Sequence, residues 1–352
     1  MSQSILDRRL QLRRFLRGLL NGRYFEFLSR LADLRTSFAD YRNTYFSDNL
    51  NWFEPRPPGG AVVFMKEHCD CNLLIPPCGV TDRQRIIEKI AKSKRHKHFG
   101  SMQSSQALAQ SVFGAIEVLG RLPLLAMIKA EDGRSAFGPS PDQSNLEFEK
   151  GVTTLGEVGD RATSVDVWFE GSYRVAVECK LAEAEFGTCS RTRLKKTDDE
   201  FERQSCDGSY AKQRGRQHRC ALAELNINYW KYTESAFGWA ANIDHKTCPL
   251  KDTYQIARNV LAACVTNDHR FDETGGHALI IYDQRNPAML PGGRGDCQWR
   301  EAYGAVQTAG RLRRLSWQSL MAQWPADEVL DWIKARLKDK YGMHPAGAII
   351  EI

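Results

Sequence analysis

The chain has 352 residues and a formal net charge of +6, a mildly basic balance that permits a nucleic-acid partner without requiring one. Its length allows a large buried core, and its composition is that of a soluble globular protein. No apolar run reaches bilayer-spanning length and the charged N-terminus lacks a signal-peptide core, so we expect a cytoplasmic protein without membrane contact. The ten cysteines are then expected to be reduced or metal-bound.

The first sixty residues are predicted to form a helical region that ends in a linker. Residues Ser4–Asn21 combine an apolar side with a row of arginines, which is typical of an amphipathic helix, and a second helix is predicted over Arg23–Tyr41. The arginine row is either a phosphate-contacting arm or the solvated face of a packing helix. The breaker EPRPPGG at Glu54–Gly60 predicts the linker, which divides residues 1–60 from a larger domain over residues 61–352.

Two further helices are predicted before the first strand. The helix over Thr81–Lys97 ends in the basic sequence KSKRHKHFG, which either contacts phosphates or is a solvated helix end. Ser104 or Ser105 caps the next helix, which contains SSQALAQSVFG and carries Gln106. The alternating sequence LEFE that follows is typical of a strand, and it ends at Glu149.

The stretch Ser164–Leu181, SVDVWFEGSYRVAVECKL, predicts a β-hairpin. Its two apolar runs alternate and are rich in β-branched residues, and a turn-like segment separates them. With a loop at residues 171–173, Glu170 faces Arg174, and this opposite-charge pair favours that register.

The same register gathers three charged side chains at one point. Asp166 faces Glu178, and Lys180 shares the face of Glu178 because the side-chain period of a strand is two. Directly opposed carboxylates destabilise a sheet, and a bound Mg²⁺ relieves their repulsion because it takes carboxylate oxygens. Such an ion activates water and offsets phosphate charge, with Lys180 assisting the water and the backbone carbonyl of Cys179 as a further ligand. The alternative is a solvated strand face with a Lys–Glu surface pair.

The segment after the hairpin, up to Arg219, is polar and highly charged. It predicts a long exposed loop, which is mobile or follows a nucleic-acid backbone. Asp252 caps a predicted helix, DTYQIARNVLAACV, in which Gln255 and Arg258 lie three residues apart.

The C-terminal part is predicted to contain one more strand and a final helix. The continuous apolar run ALIIY, at Ala278–Tyr282, is typical of a buried strand. Asp327 begins a helix with regular apolar spacing, which we expect to pack on the core as a C-terminal extension.

An aspartate followed about a dozen residues later by Glu-x-Lys on a second strand resembles the PD-(D/E)xK nuclease superfamily. The resemblance extends to SSQALAQSVFG upstream and to YWKY, YQIARNVLAA, LIIYDQRNPA, LRRLSWQSL and KYGM downstream. It covers about Gly100–Met343, and within these residues the chain resembles a bacterial branch of the superfamily. Val165 precedes Asp166 where the superfamily often has a proline.

The resemblance implies an α/β fold with a restriction-endonuclease-like mixed central sheet flanked by helices. It also implies an endonuclease that depends on Mg²⁺ or Mn²⁺ and hydrolyses phosphodiester bonds, with DNA as the preferred substrate. Its biological role would be in restriction, defence or repair. Asp166 and Glu178 would hold the metal, and Lys180 would assist the water. Residues 61–352 would form the nuclease-like domain.

Other site residues also follow from the resemblance. An acidic residue from the first helix or the preceding strand joins the metal site in some members, and the candidates here are Glu117, Glu147 and Glu149. We prefer Glu149, because its strand leads to the hairpin. The resemblance also makes three residues candidates to support the ligands or contact phosphate: Gln106, Gln255 and Arg258. The alternatives are helix capping for the first and ordinary helix surface for the other two.

Four cysteines bracket the polar segment and form a candidate metal site: Cys189, Cys206, Cys220 and Cys248. Widely spaced cysteines hold iron–sulfur clusters in some nucleases of the resembled superfamily, and four thiolates equally suit zinc. Each cysteine is flanked by polar or turn residues, unlike a typical core thiol. Their spacing matches no strong motif.

The sequence is also compatible with other functions. The chain is alternatively a non-catalytic nucleic-acid-binding module that keeps the nuclease fold, an RNA-cleaving member, or a different metal-dependent hydrolase. The sequence sets neither the cleavage specificity nor the oligomeric state, for which a homodimer is one option.

Overall fold

A computed structural model describes residues 25–157 and 163–347, and its centre is one five-stranded mixed sheet. The strands lie in the order of the chain: β1 (Asn145–Gly151), β2 (Ser164–Glu170), β3 (Arg174–Lys180), β4 (Gly276–Tyr282) and β5 (Leu312–Ser316). Strands β1, β2 and β3 are antiparallel, and β3, β4 and β5 are parallel. This sheet, with helices on both faces, confirms the expected α/β fold.

Helices surround the sheet. Residues 25–45 form α1. The others, in chain order, are α2 (Val80–Glu88), α3 (Ser105–Ala109), α4 (Ala115–Val118), α5 (Phe201–Gln204), α6 (Thr233–Phe237), α7 (Leu250–Cys264), α8 (Arg294–Ala305), α9 (Trp317–Ala322) and α10 (Glu328–Tyr341). A π-helical turn, Gln110–Gly114, joins α3 to α4. No helix in the described ranges has the length and apolarity needed to cross a bilayer.

The β2–β3 hairpin has the predicted loop and register. The loop is residues 171–173, and Val167 pairs with Val177, as the predicted alignment requires. The predicted ion pair across this loop is wrong, however. Arg174 lies 3.8 Å from Asp272, and Glu170 instead accepts the indole N–H of Trp168, so tertiary partners replace the cross-strand pair.

Both faces of the sheet are buried. One face, which carries Val167, Phe169 and Val175, belongs to an apolar core shared with α1, α3, α4, α9 and α10. The opposite face carries Trp168 and Ala176 and belongs to a second core shared with α6 and α7. The hairpin is therefore a central layer, and the middle residues of both its strands are apolar.

The N-terminal helix α1 packs on the first core. Phe38 is fully buried and meets the ring of Tyr341 edge-on at a centroid distance of 5.6 Å. Arg30 forms a 2.9 Å ion pair with Asp283, at the end of β4. The predicted helix over Ser4–Asn21 lies outside the described residues.

Two predicted helix boundaries are wrong. Helix α2 ends at Glu88 and not at Lys97, because the Arg95 side chain folds back and donates to the carbonyls of Ile87 and Ile90. Helix α7 begins at Leu250, so Asp252 lies in its first turn and is not its cap. Ser104, one of the two predicted candidates, caps α3, and Asp327, where a helix was predicted to begin, caps α10.

Candidate active site

Strands β1, β2 and β3 bring charged side chains together near one end of the strands. The β2–β3 register aligns Asp166 with Glu178, and the β1–β2 register aligns Glu149 with Asp166. Lys180 follows Glu178 by two residues and lies on the same face. The antiparallel pairing thus gathers three carboxylates and one ammonium from three strands.

Glu178 is buried and is held by hydrogen bonds from α7. Its Oε1 accepts the side-chain N–H of Gln255 at 2.7 Å, and its Oε2 accepts that of Asn259 at 2.9 Å. The Arg258 guanidinium lies 3.5 Å from Oε2 and also donates to Asn259. Residues 255, 258 and 259 lie within about one turn of α7, so a single helix face orients the carboxylate.

Glu149 is fixed by two neutral donors. Gln106 donates to its Oε1 at 2.6 Å, and Ser164 donates to its Oε2. The backbone of Glu149 has a φ of 51°, a left-handed conformation that is unusual for a residue other than glycine. Such strain persists where the surrounding structure enforces it, and it is concentrated at functional sites.

Asp166 lies between the other two carboxylates. Its Oδ2 accepts the backbone N–H of Cys179 at 2.7 Å. Burial raises the pKa of Asp166 well above its ordinary value, and the charges of Glu178 and Glu149 raise it further. Burial likewise raises the pKa of Glu149. The cluster therefore resists full ionisation unless a cation offsets its charge.

Lys180 is the cation already present in the cluster. Its Nζ lies 2.9 Å from Oε1 of Glu178 and donates to Gln255 at 3.0 Å. Burial lowers the pKa of Lys180, but the carboxylates of Glu178, Glu183 and Asp166 together raise it above its ordinary value. The side chain thus stays an ammonium at neutral pH.

These groups line a cleft of about 1040 Å³. The cleft is also lined by exposed basic residues of the segment between α2 and α3, together with Arg56, and we call these residues its basic wall. The segment is tied to the acidic cluster, because Gln106 accepts the backbone N–H of His96 at 2.8 Å while it donates to Glu149. The basic residues on this wall are Arg56, Lys94, His96, Lys97 and His98.

The sequence did not reveal three residues of this site. Asn259 and Ser164 orient two of the carboxylates, and Glu183 lines the cleft and accepts the hydroxyl of Ser105 at 2.6 Å. A helical spacing argument extended from Gln255 by four residues would have reached Asn259, because the two share one helix face. Nothing in the local sequence distinguishes Ser164 or Glu183.

Two of the three acidic candidates from the sequence lie outside this cluster. Glu117 forms a 2.5 Å ion pair with Lys89, and Glu147 forms one of 2.7 Å with Lys150, so neither reaches the cluster. Gln106, Gln255 and Arg258 all line the cleft. The side chain of Cys179 is in the first core, but its backbone lies between Glu178 and Lys180.

The four candidate cysteines are brought together, away from the cleft. Cys189, Cys206, Cys220 and Cys248 line one small cavity, and all four are free thiols. Across residues 25–157 and 163–347, no group of three or more His, Cys, Asp or Glu side chains is placed so that it could hold a metal ion as it stands.

The mixed sheet and the carboxylate–lysine cluster define an α/β protein with an acidic site in a basic-walled cleft. The model of the family described as Restriction Endonuclease associating with ARP matches residues 40–342. The chain therefore belongs to this restriction-endonuclease family. No curated protein and no solved structure matches the chain.

Proposed function

We propose that the protein is a metal-dependent endonuclease of the PD-(D/E)xK superfamily that hydrolyses phosphodiester bonds in DNA. The observation that carries this proposal is the convergence of Glu149, Asp166, Glu178 and Lys180 in one cleft with a basic wall. Membership of a restriction-endonuclease family supports the same class of reaction.

The carboxylates suit a hard divalent cation, Mg²⁺ or Mn²⁺. Asp166 and Glu178 would be its side-chain ligands, with Glu149 beside them and the backbone carbonyl of Cys179 as a further oxygen. Within the described residues, Oδ1 of Asp166 accepts no hydrogen bond, so a ligand oxygen is available there. When bound, such an ion supplies a Lewis acid that makes water a better nucleophile and offsets phosphate charge.

Lys180 would act as a cation and a hydrogen-bond donor. The neighbouring carboxylates raise its pKa, which keeps the proton on Nζ at neutral pH and argues against a role as general base. Gln255 contacts both Nζ and Glu178, so it holds the ammonium beside the carboxylates. From this position Nζ would orient the attacking water or stabilise charge that develops on the phosphate.

The basic wall would bind the sugar–phosphate backbone. Arg56, Lys94 and Lys97 are exposed and line the cleft that contains the carboxylates. Cations at this place offset the repulsion between the acidic cluster and an incoming phosphate. The wall recognises charge and not base sequence, so it suits both DNA and RNA.

The test is cleavage of plasmid, linear and single-stranded DNA and of RNA by the purified protein with Mg²⁺, Mn²⁺ or EDTA. We expect cutting that needs the metal and falls by at least about 100-fold in Asp166→Asn and Lys180→Met. Glu149→Gln tests the third carboxylate. Glu147→Gln is its matched control, because that residue lies two positions earlier on the same strand and pairs only with Lys150 in the described structure.

The outcomes separate the candidate functions. Cleavage that is lost in Asp166→Asn and Lys180→Met but kept in Glu147→Gln supports the nuclease and its site. Cleavage restricted to RNA assigns the RNA-cleaving alternative. Salt-sensitive nucleic-acid binding with no cleavage under any condition contradicts the proposal and supports the non-catalytic binding module.

A further inference from the structure

The segment between β3 and α7 has little regular structure for its length. Between Leu181 and Pro249, the only α-helices are α5 and α6, which have four and five residues. Segments of this length with little regular structure are uncommon in compact domains and are usually functional or disordered. The four cysteines Cys189, Cys206, Cys220 and Cys248 all lie in this segment.

Backbone hydrogen bonds tie three of the cysteine segments into one unit. Cys189 donates to the carbonyl of Lys251 at 2.9 Å, and Cys206 donates to that of Arg191 at 3.0 Å. Cys248 donates to the carbonyl of Gly208 at 2.8 Å. Each bond joins one cysteine to the residue two or three positions after a different cysteine of the set. The four cysteines are thereby held around a common cavity.

The environment of each sulfur follows one pattern. The amide of Gly208 donates to the sulfur of Cys206 at 3.4 Å, two residues after that cysteine. In the other three segments the residue two positions after the cysteine, which is Arg191, Leu222 or Leu250, lines the same cavity. Amide N–H groups directed at sulfur favour thiolates, and hydrogen bonds to the ligands are a regular part of metal–thiolate sites.

An unsatisfied donor lies at the same place. Trp230 Nε1 is buried and has no hydrogen-bond partner among the described residues. It lies beside Cys220, and a bond from this indole would stabilise an ionised Cys220 sulfur. A neutral thiol is a weak acceptor, whereas a metal-bound thiolate would satisfy this donor.

We propose that Cys189, Cys206, Cys220 and Cys248 bind a metal centre through four thiolates, as one Zn²⁺ or one iron–sulfur cluster. Four sulfur ligands leave no open position on zinc, so the centre is structural. It fixes the irregular segment against the start of α7, because both the amide and the carbonyl of Lys251 bond to cysteine residues. Gln255 follows one turn later and contacts Lys180, so the centre also positions one wall of the cleft.

The test is the metal content of the full chain, purified without chelators and without oxygen. We expect about one zinc per chain, or about four irons with matching sulfide and visible absorption. Cys206→Ser and Cys220→Ser should each lower that content strongly. Cys264→Ser is the matched control, because its thiol is buried in the second core outside the cavity, and Cys297→Ser controls for an exposed thiol.

A second measurement uses the unmodified chain and does not depend on the folding of variants. Metal removal by a chelator should make about four further thiols reactive toward an alkylating reagent, with Cys189, Cys206, Cys220 and Cys248 modified in peptide mapping. A chain purified with neither zinc nor iron overturns the proposal. Metal that stays unchanged in both Cys206→Ser and Cys220→Ser, or whose removal exposes other thiols, also overturns it.

Discussion

Asn259 has no charge, yet it connects the two buried charges on α7 and β3. It is fully buried, donates to Glu178 at 2.9 Å and accepts from Arg258 at 2.7 Å. An amide is suited to this position because it offers one donor and one acceptor at the same time. A buried carboxylate and a buried guanidinium therefore share a neutral bridge.

We expect Asn259→Ala to destabilise the protein by about 1–3 kcal/mol, because both charged neighbours lose a hydrogen bond inside the protein. Urea denaturation measures the change. Asn267→Ala is the control, since that asparagine is exposed just beyond the same helix, and its effect should stay within about 0.5 kcal/mol. Equal effects of the two substitutions would contradict the bridging role.

Asp166 predicts a dependence of stability on pH. Burial, with the charges of Glu178 and Glu149, raises its pKa. A carboxyl with a raised folded-state pKa contributes stability below its unfolded pKa, and this stability is lost as pH rises through the folded pKa. In EDTA, Asp166→Asn should therefore raise the Tm at about pH 7 by a few degrees, and below about pH 4 the difference should vanish.

Calorimetry at several pH values, with and without Mg²⁺, measures this effect. Mg²⁺ should raise the Tm of the unmodified chain and leave that of Asp166→Asn unchanged, because the substitution removes a proposed ligand. Asp142→Asn is the control at an exposed carboxylate. A lower Tm of Asp166→Asn at about pH 7 in EDTA would show that the carboxylate is not repelled by its neighbours.

At the scale of residues, the sequence predicts groups whose positions depend on strand periodicity. Alternation and the three-residue loop were enough to place Asp166 opposite Glu178. The partners of these groups come from segments that are distant in the chain, as Gln106 does for Glu149 and Asn259 does for Glu178. No local pattern specifies such a pairing, so these contacts were not predictable.

At the scale of elements, boundaries depend on side chains that fold back on the backbone. Continuous helix over Thr81–Lys97 was predicted because its isoleucines and charges have helical spacing. Arg95 and Gln110 instead donate to the last carbonyls of α2, which satisfies the helix end at Glu88. The basic residues after Glu88 therefore lie outside the helix, in an irregular segment that lines the cleft.

This segment predicts a specific effect on nucleic-acid affinity. Lys94→Ala combined with Lys97→Ala should weaken binding similarly for all sequences and reduce the slope of log K against log[salt] by about 2, because the two proposed phosphate contacts would be lost. Fluorescence anisotropy over a range of salt concentrations measures the slope. Lys334→Ala with Lys338→Ala is the matched control on α10, which does not contribute to the cleft lining. An equal slope in both double variants would mean that the basic wall does not contact phosphates.

At the scale of the whole molecule, α1 belongs to the same core as the sheet. The sequence predicted a boundary after residue 60, because EPRPPGG interrupts the helical pattern. In the structure this segment is a loop whose ends are joined, since Phe53 pairs with Phe64 and Glu54 donates to Val63. Composition identifies a turn of this kind, but it does not tell whether the chain returns to the same core.

The shared core predicts that α1 unfolds together with the sheet. Phe38 is fully buried between α1 and α10, so Phe38→Ala should cost about 3–5 kcal/mol through lost burial and a cavity. If α1 were a separate unit, this substitution would shift an early transition and leave the main one in place.

We expect instead a single unfolding transition at lower denaturant concentration, with coincident curves from far-UV circular dichroism and tryptophan fluorescence. Leu28→Ala is the control, because that side chain is 41% exposed on the same helix and should change stability little. Two separated transitions in Phe38→Ala would assign α1 to an independent N-terminal region.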